Sequence, residues 1–268
     1  ERQEADEERV VRIPLTQLHY FKGYPAMQTE VPFTGQPYRF KDDDPKMQET
    51  LDSVKKRGVR APGLVRPDPD GGYEIISGHR RHRASELAGL EDMPVIIRDM
   101  TDEEAVIEMV DANIQREKVM PSEKAWAYRM KLEAIKHQGA RTDLTSVQVE
   151  QKLSARDKVA KDAGEKSGIQ IMRYIRLTEL IPELLDMVDE KKIAFNPAYE
   201  LSFLKKEEQI QLLDAMDSEQ ATPSLSQAQR LKKFSQEGRL SIDVMRAIMG
   251  EEKKSDLDKV TFTSDTLR

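Results

Sequence analysis

The sequence predicts an α+β domain followed by an all-α domain, and three observations carry that reading. Before residue 118, short β-type runs such as Leu64-Val65-Arg66 and Met93-Pro94-Val95-Ile96-Ile97 alternate with helical patterns. From Pro121 onward the apolar spacing is helical almost to the end. The composition, 34% charged and 38% apolar over 268 residues, suits a helix-rich chain with a real core. The expected parts are residues 10–118, residues 119–250, and a polar tail or truncated linker at 251–268.

Each element has a local reason. Residues 1–9 carry five acids and read as a solvated lead-in, after which Val10-Val11-Arg12-Ile13-Pro14 forms a strand closed by proline. Pro25 to Pro45, with Gly35 and Asp42-Asp43-Asp44, is turn-rich and expected to be a loop, its acids facing solvent. Met47, Leu51 and Val54 have helical spacing, and Gly58 ends that helix at Arg57. Leu64–Arg66 and Tyr73–Ile76 flank Asp68-Pro69-Asp70-Gly71-Gly72, whose turn chemistry predicts a hairpin. A helix follows Ser77-Gly78, then a strand at Met93–Ile97, then a helix from Asp102 to Ile114 with Thr101 as its cap. In the second part, Ser122 caps a helix that Gly139 stops near His137, with Trp126, Tyr128 and Met130 expected to pack. Lys205-Lys206-Glu207-Glu208 reads as a solvated helix start.

No apolar run approaches eighteen residues and no basic-apolar leader is present, so neither a membrane span nor a secretory signal is expected. The absence of cysteine excludes disulfides and thiolate metal sites, and fits a reducing, cytoplasmic compartment. The net charge of −6 speaks against nucleic acid only as a sum. Residues 120–180 hold twelve Lys/Arg against eight Asp/Glu, a basic middle compatible with DNA at one restricted face.

Two stretches carry chemistry. In Tyr73–Gly89, YEIISGHRRHRASELAG, a β-type run breaks at Ser77-Gly78 into a helix opening with His79-Arg80-Arg81. Glycine permits close backbone approach, the first helical N–H groups lack intrahelical partners, and guanidinium forks match phosphate oxygens, so this is the outline of an anion site. Arg80 shares a helix face with Ala84 and Leu87, which predicts partial burial. A basic surface helix is the plainer alternative, and a zinc site at His79 and His82 would lack a third ligand. Farther on, Val110-Asp111-Ala112-Asn113-Ile114-Gln115-Arg116-Glu117 gathers amide, guanidinium and carboxylate groups. A helix-turn-helix is expected where Arg156–Gly164 is followed by Glu165–Leu177. Ile171, Tyr174 and Ile175 would pack, leaving Lys166, Ser167, Gln170 and Arg173 for DNA. A plain helical hairpin gives the same pattern.

GHRRHRA and NIQRE, in this order and at this separation, resemble the N-terminal domain of the ParB chromosome and plasmid partition proteins, a sulfiredoxin-like fold, and IQIMRYIRLTELIPELLDMV resembles their helix-turn-helix. The resemblance implies a site-specific, nucleoid-associated protein in the cytoplasm that binds double-stranded DNA. It implies a homodimeric clamp operated by CTP and magnesium, with a possible ParA-type ATPase partner. By position Gly78, His79, Arg80, Arg81, Asn113, Arg116 and Glu117 would bind the nucleotide, Asn113 also serving Mg²⁺ through it. The chain departs from the family where His79 and Ala112 replace acids, where His19 replaces an arginine, and where the turn around Glu165 has one additional residue. Losing two hard anionic oxygens weakens metal placement and water activation, so at most weak CTP hydrolysis is expected. Glu117 is the candidate catalytic group. Two alternatives remain: a nucleotide-independent helix-turn-helix regulator, and a kinase or nuclease on the same scaffold. The family's C-terminal dimerisation domain is not apparent after Gly250, and Glu1 in place of methionine is read as a trimmed end.

Overall fold

A computed structural model describes residues 9–22, 42–114, 119–140 and 148–251; the side chains of 139–140 and 148–154 lie outside the description. The chain forms two compact units, Glu1–Arg176 and Leu177–Arg268.

The first unit is built on a five-stranded mixed sheet. Its strands are β1 (Val10–Pro14), β2 (Leu18–Tyr20), β3 (Gly63–Pro67), β4 (Tyr73–Ser77) and β5 (Asp92–Ile97), in the order β1-β5-β3-β4-β2. The β1/β5 and β3/β4 pairs are antiparallel and the β3/β5 and β2/β4 pairs parallel. The β3–β4 hairpin forms as its turn residues predict: Asp68 Oδ1 accepts from the Asp70 amide at 2.9 Å, and Gly71 and Gly72 take positive φ. A side chain at Gly72 would lie 2.6 Å from the Gln17 carbonyl oxygen, so glycine is required for the turn to pass the chain leading into β2.

Alternation along β4 divides the core. Ile75 joins Leu18, Val65, Met93 and Val95 in one cluster, while Ile76 joins Phe21 and helices α3 (Asp102–Ile114), α4 (Pro121–Ala140), α5 (Gln148–Asp162) and α6 (Gly168–Arg176) in another. Helices α1 (Pro45–Arg57) and α2 (His79–Leu87) share a third cluster of Met47, Leu51, Val54 and Ala84. Because the second cluster runs without a break from the sheet to α6, the compact unit closes at 176/177, beyond the 118/119 boundary expected from the sequence.

The second unit is helical: α7 (Pro182–Asp189), α8 (Phe195–Leu201), α9 (Lys206–Ser218), α10 (Leu225–Gln236) and α11 (Ile242–Met249). Gln209, fully buried, accepts from the Ile181 amide and donates to the carbonyls of Leu204 and Glu179, holding α9 against the turn before α7. Lys205-Lys206-Glu207-Glu208 is the start of α9, with the Glu208 carboxylate accepting from the Lys205 amide at 2.9 Å.

Several sequence expectations shift. Strand β2 was not foreseen, α4 runs to Ala140 past the glycine stop expected at Gly139, and α5 begins at Gln148, ahead of Arg156. Asp42 is exposed, as expected, and also receives both Nε and Nη2 of Arg83, which holds its carboxyl below the ordinary range. Most of the Pro25–Pro45 loop lies outside the described residues.

The edge of the hairpin carries a charge cluster. Arg66 in β3 is buried; its Nε donates to Glu74 Oε2 at 2.8 Å, its Nη2 reaches Asp102 Oδ1 at 2.6 Å, and its guanidinium stacks over Phe21. Burial would lower the Arg66 pKa, and the two carboxylates outweigh it. Replacing Arg66 by Met strands the buried Glu74 carboxylate and is expected to cost about 3 kcal/mol in denaturant unfolding, most of it recovered by Arg66→Met/Glu74→Leu. Burial alone would raise the Asp68 carboxyl, but the Asp70 amide, Lys22 and His19 hold it below its ordinary value. A depressed acid stabilises the fold above its unfolded pKa and loses that contribution as pH falls through the folded value. Asp68→Asn keeps the turn oxygen and removes the charge, so its stability deficit at neutral pH is expected to shrink below about pH 4, as urea unfolding across pH will show.

Candidate functional site

The strand-to-helix junction is built as its sequence demands. Gly78 takes φ +112° between β4 and α2, and an added Cβ would lie 3.2 Å from Gly63 Cα and 3.3 Å from Arg81 Nη2. Backbone, not side chain, therefore fills this point, and the first turn of α2 opens beside it with no acidic residue. Arg80 is partly buried and makes no ion pair with any described residue. Arg81 is committed differently: its Nη1 donates to the carbonyls of Ala61 at 2.7 Å and Pro62 at 2.5 Å, and burial lowers its pKa. It supports the loop entering β3, while its Nη2 hangs over Gly78.

The buried face of α2 differs from expectation. Leu87 is 39% exposed, whereas His79, His82, Ala84 and Ser85 are buried. Tyr20 of β2 explains the change. Its ring stacks on His79 with centroids 5.6 Å apart and meets His82 edge-on at 5.9 Å, covering two imidazoles that would otherwise face water. Burial pushes the His82 pKa below the ordinary histidine range, which favours the neutral ring. No third metal-ligating side chain gathers at this histidine pair among the described residues.

His19, by contrast, sits within reach of Asp68 and Glu74, with its Nε2 3.1 Å from Asp68 Oδ2. Lys22 Nζ already lies 2.9 Å from the same oxygen, and Arg66 binds Glu74. The cluster is neutralised by side-chain cations and reads as an ion-pair network.

Asn113 lies in the last turn of α3, buried, with its amide nitrogen donating to the Met109 carbonyl at 2.7 Å. The adjacent Asp111 carboxylate is 2.5 Å from Nζ of Lys131, which is 1% exposed and also meets Asp162 Oδ2 at 2.8 Å. Lys131 thus joins α3, α4 and α5, a connection that sequence reading missed. Arg116 and Glu117 lie outside the described residues.

Helix α5, a turn and α6 follow. Gly164 takes φ +67°, the Glu165 amide donates to Ala160 O and the Gly164 amide to Lys161 O, a Schellman end to α5. Glu165 in this turn is used: its Oε1 accepts from Lys124 Nζ at 2.7 Å and Tyr128 Oη at 2.9 Å, pinning the turn to α4. The two helices approach closely at Gly168, where a Cβ would stand 2.6 Å from Asp157 Oδ1, and Ala160 is buried on α5. Ile171 is fully buried, and Tyr174 and Ile175 pack in the same cluster. Lys166 and Ser167 are exposed, and Gln170 and Arg173 are partly exposed. The Ser167 hydroxyl, expected to meet DNA, also accepts from the Gln170 amide at 3.4 Å as the α6 cap. Ile169 and Met172, which sequence reading left out, are exposed on this helix at 74% and 37%.

A cleft of about 1050 Å³ lies within the second unit beside Met187, Asp214, Asp217 and Met249 and holds none of the residues selected from the sequence. No described helix is long and apolar enough to cross a membrane.

Comparison with known proteins gives consistent matches. Residues 1–114 match the family model described as the ParB N-terminal domain. The chromosome-partitioning protein Spo0J of Thermus thermophilus is 31% identical over 201 residues, covering 75% of this chain and 62% of that protein. The chromosome-partitioning protein ParB of Myxococcus xanthus is 35% identical over 134 residues, covering 50% and 40%. The chain therefore spans less than two thirds of the length of these relatives. Among solved structures, C-terminally truncated ParB of Caulobacter crescentus complexed to the centromeric parS site aligns with TM-score 0.43 and 21% identity, covering 89% of this chain and 98% of that one. The same protein complexed with CTP-γ-S aligns with TM-score 0.34 and 23% identity, covering 72% and 92%. Residues 1–114 thus carry a ParB N-terminal domain, and the similarity to chromosome-partitioning proteins continues beyond it.

Proposed function

We propose that this chain is a site-specific binder of duplex DNA that acts in partition and carries a CTP-operated switch. The observation that carries the DNA-binding part is the division of α6 into two faces. Ile171, Tyr174 and Ile175 are spent on packing, which leaves Lys166 just before the helix start, and Gln170 and Arg173 along the helix, at least partly exposed to solvent on a helix suited to a major groove. Glu165 fixes that helix on α4, so its side chains are presented by a rigid support. Localisation to the nucleoid, a homodimeric clamp and a ParA-type ATPase partner belong to the same reading.

The nucleotide part rests on Gly78, Arg80 and the two family motifs. Close backbone approach at Gly78, the helix start beside it and a guanidinium with no described ionic partner suit a phosphate chain. The fit to magnesium is poorer. His79 and Ala112 stand where the family has acids, Asp111 is engaged by Lys131, and Asn113 is bonded to its own helix. When bound, CTP would supply the phosphates that Arg80 and the α2 amides hold, and the metal would neutralise them. The protein's part is to bind and orient, with hydrolysis slow or absent. Arg81, His79, Asn113, Arg116 and Glu117 remain in the proposed nucleotide set, with Arg81 in a supporting place beneath Gly78.

Calorimetric titration with CTP in magnesium, with ATP, GTP and UTP as controls, is expected to show selective CTP binding that Arg80→Ala weakens at least tenfold. If none of the four nucleotides binds, with or without duplex DNA, the chain is a nucleotide-independent regulator. Lys166→Ala/Arg173→Ala is expected to weaken duplex binding and to reduce the slope of log affinity against log salt by about 1–2. Unchanged binding and slope would remove α6 from the interface.

A further inference from the structure

Ile169 is the most exposed large apolar side chain among the described residues, at 74%. A lone exposed apolar residue is ordinary on a protein surface and needs no explanation. Ile169 is not alone. Met172, three residues on, is also exposed, so the two stand on adjoining positions of one helical surface. Lys166 precedes Ile169 by three residues, and Arg173 and Arg176 follow it by four and seven, which frames the apolar pair with cations. The opposite side of the helix is filled by Ile171 against α4 and α5, so no rotation of α6 could bury Ile169 without expelling the core.

This combination narrows the occupant. A surface for another protein's apolar core would be wider, and a surface for phosphate alone would have no use for two large apolar groups. The DNA major groove offers both chemistries together: phosphates along its rims, and on its floor the C5 methyl of thymine, the one apolar group displayed there. We propose that Ile169, assisted by Met172, is a specificity-determining residue that reads thymine methyl groups in the DNA site, while Lys166 and Arg173 fix the helix in the groove. The proposal rests on the DNA-binding reading above and adds a base identity to it. Gln170, on the neighbouring flank of α6, is the residue placed to read the polar edge of an adjacent base pair.

The test begins by selecting bound sites from a random duplex library with the wild-type chain. Each thymine fixed in the selected sequence is then replaced singly by deoxyuridine, which deletes the methyl and preserves base pairing. At one or two positions the wild-type chain is expected to lose roughly three- to five-fold in affinity, the effect of one carbon removed from an apolar contact. Ile169→Ala, whose side chain is exposed and whose folding should be unaffected, is expected to bind thymine and uracil versions alike. Lys166→Ala should weaken both versions equally and preserve their ratio.

A selected consensus without methyl dependence, or with a dependence that persists in Ile169→Ala and Met172→Ala, overturns this inference and leaves the DNA-binding reading intact. Self-association of the free protein that Ile169→Ala abolishes would assign the patch to a second copy and also overturn it. If no consensus emerges at all, both the inference and site-specific binding fail.

Discussion

An ammonium group almost closed to water has to be met by negative charge, and Lys131 is met twice. Its neighbours on α4 are apolar and buried, yet its Nζ lies 2.5 Å from Asp111 on α3 and 2.8 Å from Asp162 at the end of α5. Neither carboxylate is itself deeply buried, so the desolvation cost falls mainly on the lysine and both anions are there to offset it. The consequence is geometric. The residue just before Ala112-Asn113 and the last residue of the first helix of the helix-turn-helix are held by a single nitrogen. About one and two turns earlier on α4, Tyr128 and Lys124 take Glu165 in the turn that follows. Helix α4 is therefore the common support of both candidate sites in the first unit.

The same economy shapes the anion end. Gly78 and Gly63 approach so closely that neither position can carry a side chain without displacing its neighbours, and Arg81 seals the gap by donating to two backbone carbonyls. Arg80, in the first turn of α2, makes no ion pair with any described residue. Tyr20 then lids the histidines beside it. A site made in this manner is preorganised by backbone and by burial, and few side chains are free to adapt.

Much of this was legible in the sequence. The hairpin turn, the glycine at the strand-to-helix break and the packing stripe of α6 follow from local rules about φ, turn residues and helical period, and they form where those rules place them. What was not legible depends on partners distant in the chain. Strand β2 spans three residues, too few for alternation to show. The buried face of α2 was misplaced because Tyr20, fifty-nine residues before His79, supplies an aromatic cover that makes histidine acceptable inside. Lys131 gave no signal because its carboxylates are 20 and 31 residues away, and an isolated lysine in a helix is read by default as solvated. The exposure of Ile169 was not legible either, because an apolar residue beside a packing stripe carries no local mark of facing water, and the structure leaves it 74% exposed.

A nucleotide site and a DNA-reading helix joined in one chain, as proposed, are open to direct measurement through linkage. If CTP alters DNA binding, DNA must alter CTP binding by the same factor. The dissociation constant for CTP, determined calorimetrically for the free protein and for the protein saturated with a short duplex bearing its selected site, should differ by at least fivefold. Equal constants would mean that the two sites share a scaffold without sharing a switch.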